Sequence, residues 1–133
     1  MQTRILGIII IAVIPVFGTG CSKQVSFNDD VNPILAASCL MCHGDSAGEG
    51  IATSGFSVQS YDSVMKGTKY GPVVVPGDSA SSTLYRLIGH EVDPKIEMPP
   101  HRNIALAEGR SEPLTPGQIE TIKMWIDQGA KNN

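Results

Sequence analysis

The chain has 133 residues, with 10 lysines and arginines against 13 aspartates and glutamates, and a formal net charge of −3. This length fits one small domain, and the acidic balance argues against a nucleic-acid partner, because such binding requires clustered basic residues. Only 5% of the residues are aromatic, whereas there are 14 glycines and 9 prolines. This composition predicts short helices and long loops around a thin core that a bound group would help to fill.

The first twenty residues have the form of an export signal. Met1–Arg4 is a short positive start, and the apolar run Ile5–Phe17 follows it. That run is shorter than the roughly 20 residues that a membrane-spanning helix needs. We therefore predict a signal peptide of the lipoprotein type over residues 1–20, which does not belong to the folded domain.

Cys21 stands directly after the signal. The small residues Gly18–Gly20 followed by Cys21 resemble a bacterial lipobox, although Gly18 stands where leucine is usual. Lipidation would remove an unpaired thiol in an oxidising compartment and would anchor the protein to a membrane. The alternative is ordinary cleavage after Gly20, which would give a soluble periplasmic protein. The expected organisation is an anchor at Cys21, a tether over residues 21–26 and one domain over residues 27–133 in the cell envelope.

A helix is predicted to begin at Asn28–Asp30 and to break at Gly44. The acidic start supplies oxygen acceptors and negative charge where a helix N-terminus favours them. Val31, Ile34 and Leu35 then follow at helical spacing. The predicted helix therefore includes Cys39, Cys42 and His43.

The segment after this helix is predicted to be mostly irregular. Asp45–Gly55 is rich in small residues and predicts a loop, and Phe56–Val58 alternates like a short extended piece. Tyr61–Lys66 predicts a single helical turn that Gly67 closes. A second helix is predicted to begin at a cap formed by residue 78 or 79.

The last helix is the best-defined element of the sequence, and a long loop over His90–Pro113 precedes it. Thr115 is predicted to cap it, with Pro116 at the first helical position and Gln118 completing a capping box. Gly129 is expected to end it. No internal repeat is visible, so the elements predict one all-α domain of about four short helices.

The motif Cys39-x-x-Cys42-His43 is the signature of c-type haem attachment. On a helical turn both thiols face the same side and can reach the two vinyl groups on one porphyrin edge, which leaves His43 to bind the iron. A redox dithiol, a zinc site and plain buried thiols are the alternatives. A redox dithiol normally opens a helix after a strand, and zinc would need two further ligands at short spacing. The motif therefore predicts one covalently attached haem c per chain.

Haem iron in an electron carrier usually has a sixth ligand, most often methionine or histidine. Met98 is the first candidate, because the two prolines at residues 99–100 stiffen its loop. His101 and His90 are the alternatives, and Met65 is the next methionine to test. Two protein ligands leave no open position on the iron, so the expected activity is one-electron transfer rather than catalysis.

The span Phe27–Ala130 resembles the planctomycete-type single-haem cytochrome c domain. The stretches that carry the resemblance are Val31–Leu35, Cys39–Gly44, Val75–Asp78, Ser82–Leu84, Met98–Pro100, Leu114–Thr115 and Trp125–Ala130. The resemblance implies the class I cytochrome c fold wrapped around one haem, with His43 proximal and Met98 distal to the iron. It also implies that a backbone carbonyl of the Gly71-Pro72 stretch accepts the ring N–H of His43, against the simpler interpretation of Pro72 as part of a loop turn.

These observations together predict a single-haem electron carrier, not an enzyme, that exchanges electrons with redox partner proteins. A lipid anchor would hold it to a membrane outside the cytoplasm. The alternatives are a peroxidase-like haem enzyme and a gas or redox sensor with an open iron position. Di-haem peroxidases need two attachment motifs and this chain has one, whereas a sensor requires that Met98 does not bind the iron.

Overall fold

Short helices joined by turns make up the computed structural model, which describes residues 23–44, 48–100 and 112–133. The described part is all-α, with a π-helical turn at Phe27–Val31 and six α-helices. These are α1 Asn32–Ser38, α2 Leu40–His43, α3 Glu49–Ser54, α4 Tyr61–Lys66, α5 Thr83–Ile88 and α6 Pro116–Asp127. None of the helices in these ranges is long and apolar enough to cross a membrane. The predicted signal peptide, Cys21 and His101 lie outside the described residues.

The predicted count of about four helices is too low, partly because the first predicted helix is divided at Cys39. Cys39 has φ −122° and ψ −27°, which is not helical. Its amide nevertheless donates to the Leu35 carbonyl at 2.9 Å, and its own carbonyl accepts from the amides of Cys42 and His43 at 3.2 and 2.8 Å. The backbone hydrogen bonds of a helix thus continue through Cys39, although its own dihedral angles depart from those of a helix.

The prediction of a loop over Asp45–Gly55 is wrong for its second half, which forms α3. The Ser54 hydroxyl donates to the Gly50 carbonyl at 2.6 Å, and the Gly55 amide donates to the Ile51 carbonyl at 2.8 Å. Gly55 has φ +75°, so it ends the helix in the left-handed conformation that glycine adopts without steric cost. The small residues of this segment show no apolar periodicity, so the sequence does not predict a helix here. Local hydrogen bonds stabilise the helix.

The predictions for α4 and α6 are confirmed, whereas α5 begins later than expected. In α6 the Thr115 and Gln118 side chains form the predicted capping box. The helix α5 begins at Thr83 after Ser82, because Asp78 caps a separate turn by accepting from the Ser81 amide at 3.0 Å. The prediction placed residue 78 or 79 at the cap of α5, whereas Asp78 caps the turn before that helix.

A small aromatic cluster forms the centre of the core. The Phe27 ring lies with its centroid 5.2 Å from that of Tyr61 and 5.4 Å from that of Trp125. Phe27 and Trp125 are almost fully buried. Because aromatic side chains each bury a large apolar area, these three rings join the opening turn, α4 and α6 into one core.

The end of the expected tether is part of the folded domain. Val25 is only 5% exposed, and its amide donates to the Gln128 side chain at 2.7 Å. The Ser26 hydroxyl and the Asn28 amide donate to the Asn133 carbonyl at 2.7 and 3.0 Å. The segment that leads toward Cys21 is therefore fixed to the domain from Lys23 onward.

Candidate haem site

One helical turn presents the two thiols and the imidazole of the attachment motif to the same cavity. Cys39, Cys42 and His43 line this space together with Met98 and the two prolines that follow it. The turn has this form because the Cys39 carbonyl accepts hydrogen bonds from the amides of both Cys42 and His43. The motif and the Met98 loop, which are distant in sequence, thus meet at one place.

The cavity continues inward between apolar walls. Its empty volume is about 540 Å³, part of it open to solvent. The residues that line this inner part are Cys39, His43, Ser54, Phe56, Thr68, Val73, Leu84, Leu87, Ile88 and Met98. Pockets that hold cofactors and other ligands typically have mostly apolar walls with few polar groups. This cavity has walls of that kind.

Met98 borders the cavity from a loop that is tied to the end of α5. Its amide donates to the Leu87 carbonyl at 3.2 Å, and its side chain is partly buried. The next residue, Pro99, is buried, and the Met98–Pro99 peptide bond is cis. The thioether therefore lies beside the cavity on a segment that is anchored both by its own amide and by a buried proline.

Two of the other candidate sixth ligands, Met65 and His90, lie elsewhere, whereas His101 is outside the described residues. Met65 packs against the hydrophobic core. His90 follows the end of α5 with φ +58° and is not among the residues that line the cavity. Of the candidates within the described ranges, only Met98 borders the space that His43 also lines.

The imidazole of His43 is held by the backbone of Phe56. Its Nδ1 lies 3.0 Å from the Phe56 carbonyl oxygen, and the two rings meet edge to face with centroids 5.4 Å apart. A carbonyl oxygen can only accept a hydrogen bond, so Nδ1 carries the proton. The unprotonated Nε2 is then the nitrogen with a lone pair available for a metal ion.

The expected partner of the His43 ring, a carbonyl of the Gly71-Pro72 stretch, is wrong. Phe56 accepts that hydrogen bond instead. The Gly71 carbonyl already accepts from the Thr68 amide and hydroxyl at 2.9 and 3.1 Å, and Pro72 is exposed. Phe56 is suitably placed because the Val58 amide donates to the His43 carbonyl at 2.9 Å, which draws this segment alongside the motif.

Gly50 and Phe56 are the site residues that sequence reasoning missed. A Cβ atom at Gly50 would lie 2.6 Å from Cε1 of His43, so the backbone of α3 approaches the imidazole closely. The Phe56 contact uses a main-chain oxygen, which every residue type has. No side-chain pattern signals such a contact, although Gly50 was visible as one of several glycines in that segment.

The surroundings of Cys39 disfavour the thiolate form of its side chain. Burial raises the pKa of Cys39 to about 11, and the neighbouring Cys42 adds to the effect. Redox dithiols rely on a thiol whose pKa is lowered so that the thiolate forms near neutral pH. The shift at Cys39 has the opposite direction, which argues against a thiol–disulfide exchange site. Both cysteines are free thiols.

The donor set and the cavity fit a haem group. Two thiols and one imidazole stand on a single turn, and a thioether lines the same apolar space. On another side the cavity opens to solvent beside Lys95 and Glu49, so a polar mouth adjoins the apolar interior. A flat apolar macrocycle with charged carboxylates at one edge matches both parts.

The comparisons with known proteins agree with this chemistry. Residues 39–102 match the family model described as Planctomycete cytochrome C. The matched range begins at the first cysteine of the motif and includes the Met98 loop. No curated protein and no solved structure matches the chain.

Proposed function

We propose that this protein is a single-haem c-type cytochrome that carries one electron at a time between redox partner proteins, since residues 39–102 match the family model described as Planctomycete cytochrome C. The family indicates haem-based electron transfer. The observation that carries the finer proposal is the single apolar cavity that Cys39, Cys42, His43 and Met98 all line. Two covalent attachment groups and two iron ligands are the set that such a carrier requires.

The proposed roles follow from the chemistry of each side chain. The Cys39 and Cys42 sulfurs form thioether bonds to the haem, His43 binds the iron through Nε2, and Met98 binds it through its thioether sulfur. The bound haem supplies an iron that alternates between the ferric and ferrous states. With His43 and Met98 both bound to the iron, no position would remain for a substrate, and the protein would act as a carrier rather than an enzyme.

The chain's own residues also control the reduction potential in this proposal. The apolar walls formed by Val73, Leu84 and Ile88 exclude water, which disfavours the more highly charged ferric state. Methionine ligation raises the potential relative to two histidines. The Phe56 carbonyl fixes the His43 tautomer and makes the imidazole a more basic ligand, which opposes the other two effects.

We also propose that the protein is exported and held at a membrane surface through a lipidated Cys21. The support is the signal-like segment before Cys21 and the small residues directly in front of it. From Lys23 onward the chain is bound to the domain by Gln128 and Asn133. A lipid on Cys21 would therefore hold the domain close to the membrane rather than on a long flexible tether.

Spectroelectrochemistry with a ligand challenge tests the carrier proposal. The holoprotein is expected to be low-spin in both oxidation states, to titrate reversibly as one electron, and to leave its ferrous spectrum unchanged under carbon monoxide. A high-spin ferric form that readily binds carbon monoxide when reduced would overturn the proposal. That result would favour the alternative of a sensor or a peroxidase-like enzyme with an open iron position.

A further inference from the structure

We propose that Gly50, Ser54 and Phe56 form an imidazole clamp that fixes the rotation of the His43 ring and thereby helps to set the reduction potential of the iron. This inference rests on the proposed function, because it takes His43 as an iron ligand. Two of the clamp residues belong to α3, and the third lies two residues after its end. The clamp residues are positioning residues, since they act through His43.

Gly50 supplies the first surface of the clamp. A Cβ atom at this position would lie 2.6 Å from Cε1, 2.7 Å from Nδ1 and 2.8 Å from Nε2 of His43. All three distances are shorter than real Cβ contacts, so the ring lies directly against the backbone here. The Gly50 φ angle is outside the left-handed region. Glycine is therefore needed at this position for the space it leaves beside the ring, not for its conformation.

Phe56 supplies the second surface, and Ser54 joins the two. The Phe56 carbonyl accepts from Nδ1 of His43 at 3.0 Å. The Ser54 hydroxyl donates to the Gly50 carbonyl at 2.6 Å and accepts from the Phe56 amide at 3.1 Å. A single side-chain oxygen thus connects the residue that packs against the imidazole with the residue that binds its proton.

The clamp fixes two properties of the ligand at once. The position of the Gly50 backbone limits how far the ring can rotate, and the Phe56 carbonyl determines how strongly Nδ1–H is polarised. Hydrogen bonds to the outer nitrogen of a ligating imidazole fix its orientation and raise its basicity. A more basic imidazole stabilises ferric iron. Loosening the clamp, or displacing the ring from the Phe56 carbonyl with a methyl group at Gly50, is therefore expected to raise the reduction potential and to change the orientation of the imidazole plane.

The test compares Gly50→Ala and Ser54→Ala with Gly117→Ala. Gly117 is also a helical glycine, but a Cβ there would meet nothing within 4 Å. The readouts are the electron paramagnetic resonance g values of the ferric protein, which report the orientation of the axial ligand plane, and the midpoint potential. We expect altered g values and a higher potential for both clamp variants, no change for Gly117→Ala, and recovery of parental values in Ser54→Thr, which retains the hydroxyl.

The outcomes separate this inference from the function it rests on. If the parent protein lacks a low-spin His-ligated haem, the proposed function fails. If the parent is as proposed but Gly50→Ala and Ser54→Ala keep parental g values and potential, the clamp is wrong and the carrier proposal stands. Should Gly50→Ala yield no holoprotein, Ser54→Ala and its Ser54→Thr counterpart decide the question alone.

Discussion

In the proposed function, the Met98 side chain determines whether the iron site is closed or open. It lines the cavity with His43, and its loop is held by the Leu87 carbonyl and by the buried Pro99. A thioether favours ferrous iron, whereas water or hydroxide in its place favours ferric iron. Removing this one sulfur should therefore change both the spectrum and the potential.

For Met98→Ala we expect loss of the long-wavelength charge-transfer band that marks methionine–iron ligation, a lower reduction potential and new carbon monoxide binding. Absorption spectroscopy and redox titration measure these effects. Met65→Ala is the matched control, because Met65 is a partly buried methionine that packs on the core away from the cavity. If Met98→Ala keeps both the band and the potential while Met65→Ala loses them, Met65 is the ligand. A low-spin spectrum without the band would indicate replacement by a histidine, such as His101.

Two glycine turns show how individual elements position the site. Gly67 ends α4 with φ +80°, and a Cβ there would lie 2.5 Å from the Gly71 carbonyl oxygen. Gly77 has a similar φ of +85°, but a Cβ there would meet nothing within 4 Å. The turn at Gly67 is therefore closed both by its conformation and by close backbone contact, whereas only conformation constrains Gly77.

We expect Gly77→Ala to lower the free energy of unfolding by about 1–2 kcal/mol, the cost of a left-handed residue with a side chain. Gly67→Ala should lower it by about 1–3 kcal/mol more, because the backbone must also move to relieve the overlap. Denaturant titration of the two variants measures the difference. Equal losses would show that the neighbouring Gly71 segment yields without cost, contrary to the close packing described for this turn.

The opening turn is stabilised by a carboxylate whose pKa the fold lowers. The Ser26 amide donates to Asp30 at 2.9 Å, and Lys23 lies 3.1 Å from its other oxygen. These two contacts hold the pKa of Asp30 below its ordinary value of 3.8. A lowered pKa in the folded state means that the stabilisation is present above about pH 3.8 and is lost as the pH falls through the folded-state pKa.

Asp30→Asn should therefore destabilise the protein at neutral pH, and the difference from the parent should shrink as the pH is lowered through and below 4. Asparagine has nearly the same shape but lacks the charge, so the variant isolates the ionised carboxylate. Unfolding titrations at several pH values measure the difference between the two proteins. A difference that stays constant from neutral to acidic pH would show that the charge at Asp30 contributes nothing.

At the scale of the whole molecule, the sequence predicts features that depend on neighbouring residues and misses those that depend on tertiary contacts. The capping box at Thr115 and the closing glycine at Gly67 are local and are confirmed. The helix α3 has no apolar repeat, so its small residues indicated a loop. The family resemblance implies a carbonyl of the Gly71-Pro72 stretch as the His43 partner. A main-chain carbonyl has no sequence signature of its own, so only the fold identifies Phe56.

The proposed membrane anchor concerns the protein as a whole rather than the haem site. Cys21→Ser should move the protein from the membrane fraction to the soluble fraction, because the chemistry of lipid attachment requires the thiol. The haem spectrum should remain unchanged, since the residues that line the candidate haem cavity lie between Ser38 and Pro100. Cell fractionation combined with absorption spectroscopy checks both statements. Membrane retention of the variant would contradict the lipid anchor.

The mass of the purified protein tests the central claim most directly, since that claim is one haem bound covalently to this chain. The protein would be produced in cells that carry a cytochrome c maturation system, then denatured, extracted with acidified organic solvent and weighed. We predict the mass of the processed chain, including the lipid expected on Cys21, plus one haem, with the haem mass on the peptide that contains Cys39 and Cys42. A chain that carries no added mass after extraction, although its signal has been processed, would contradict the account.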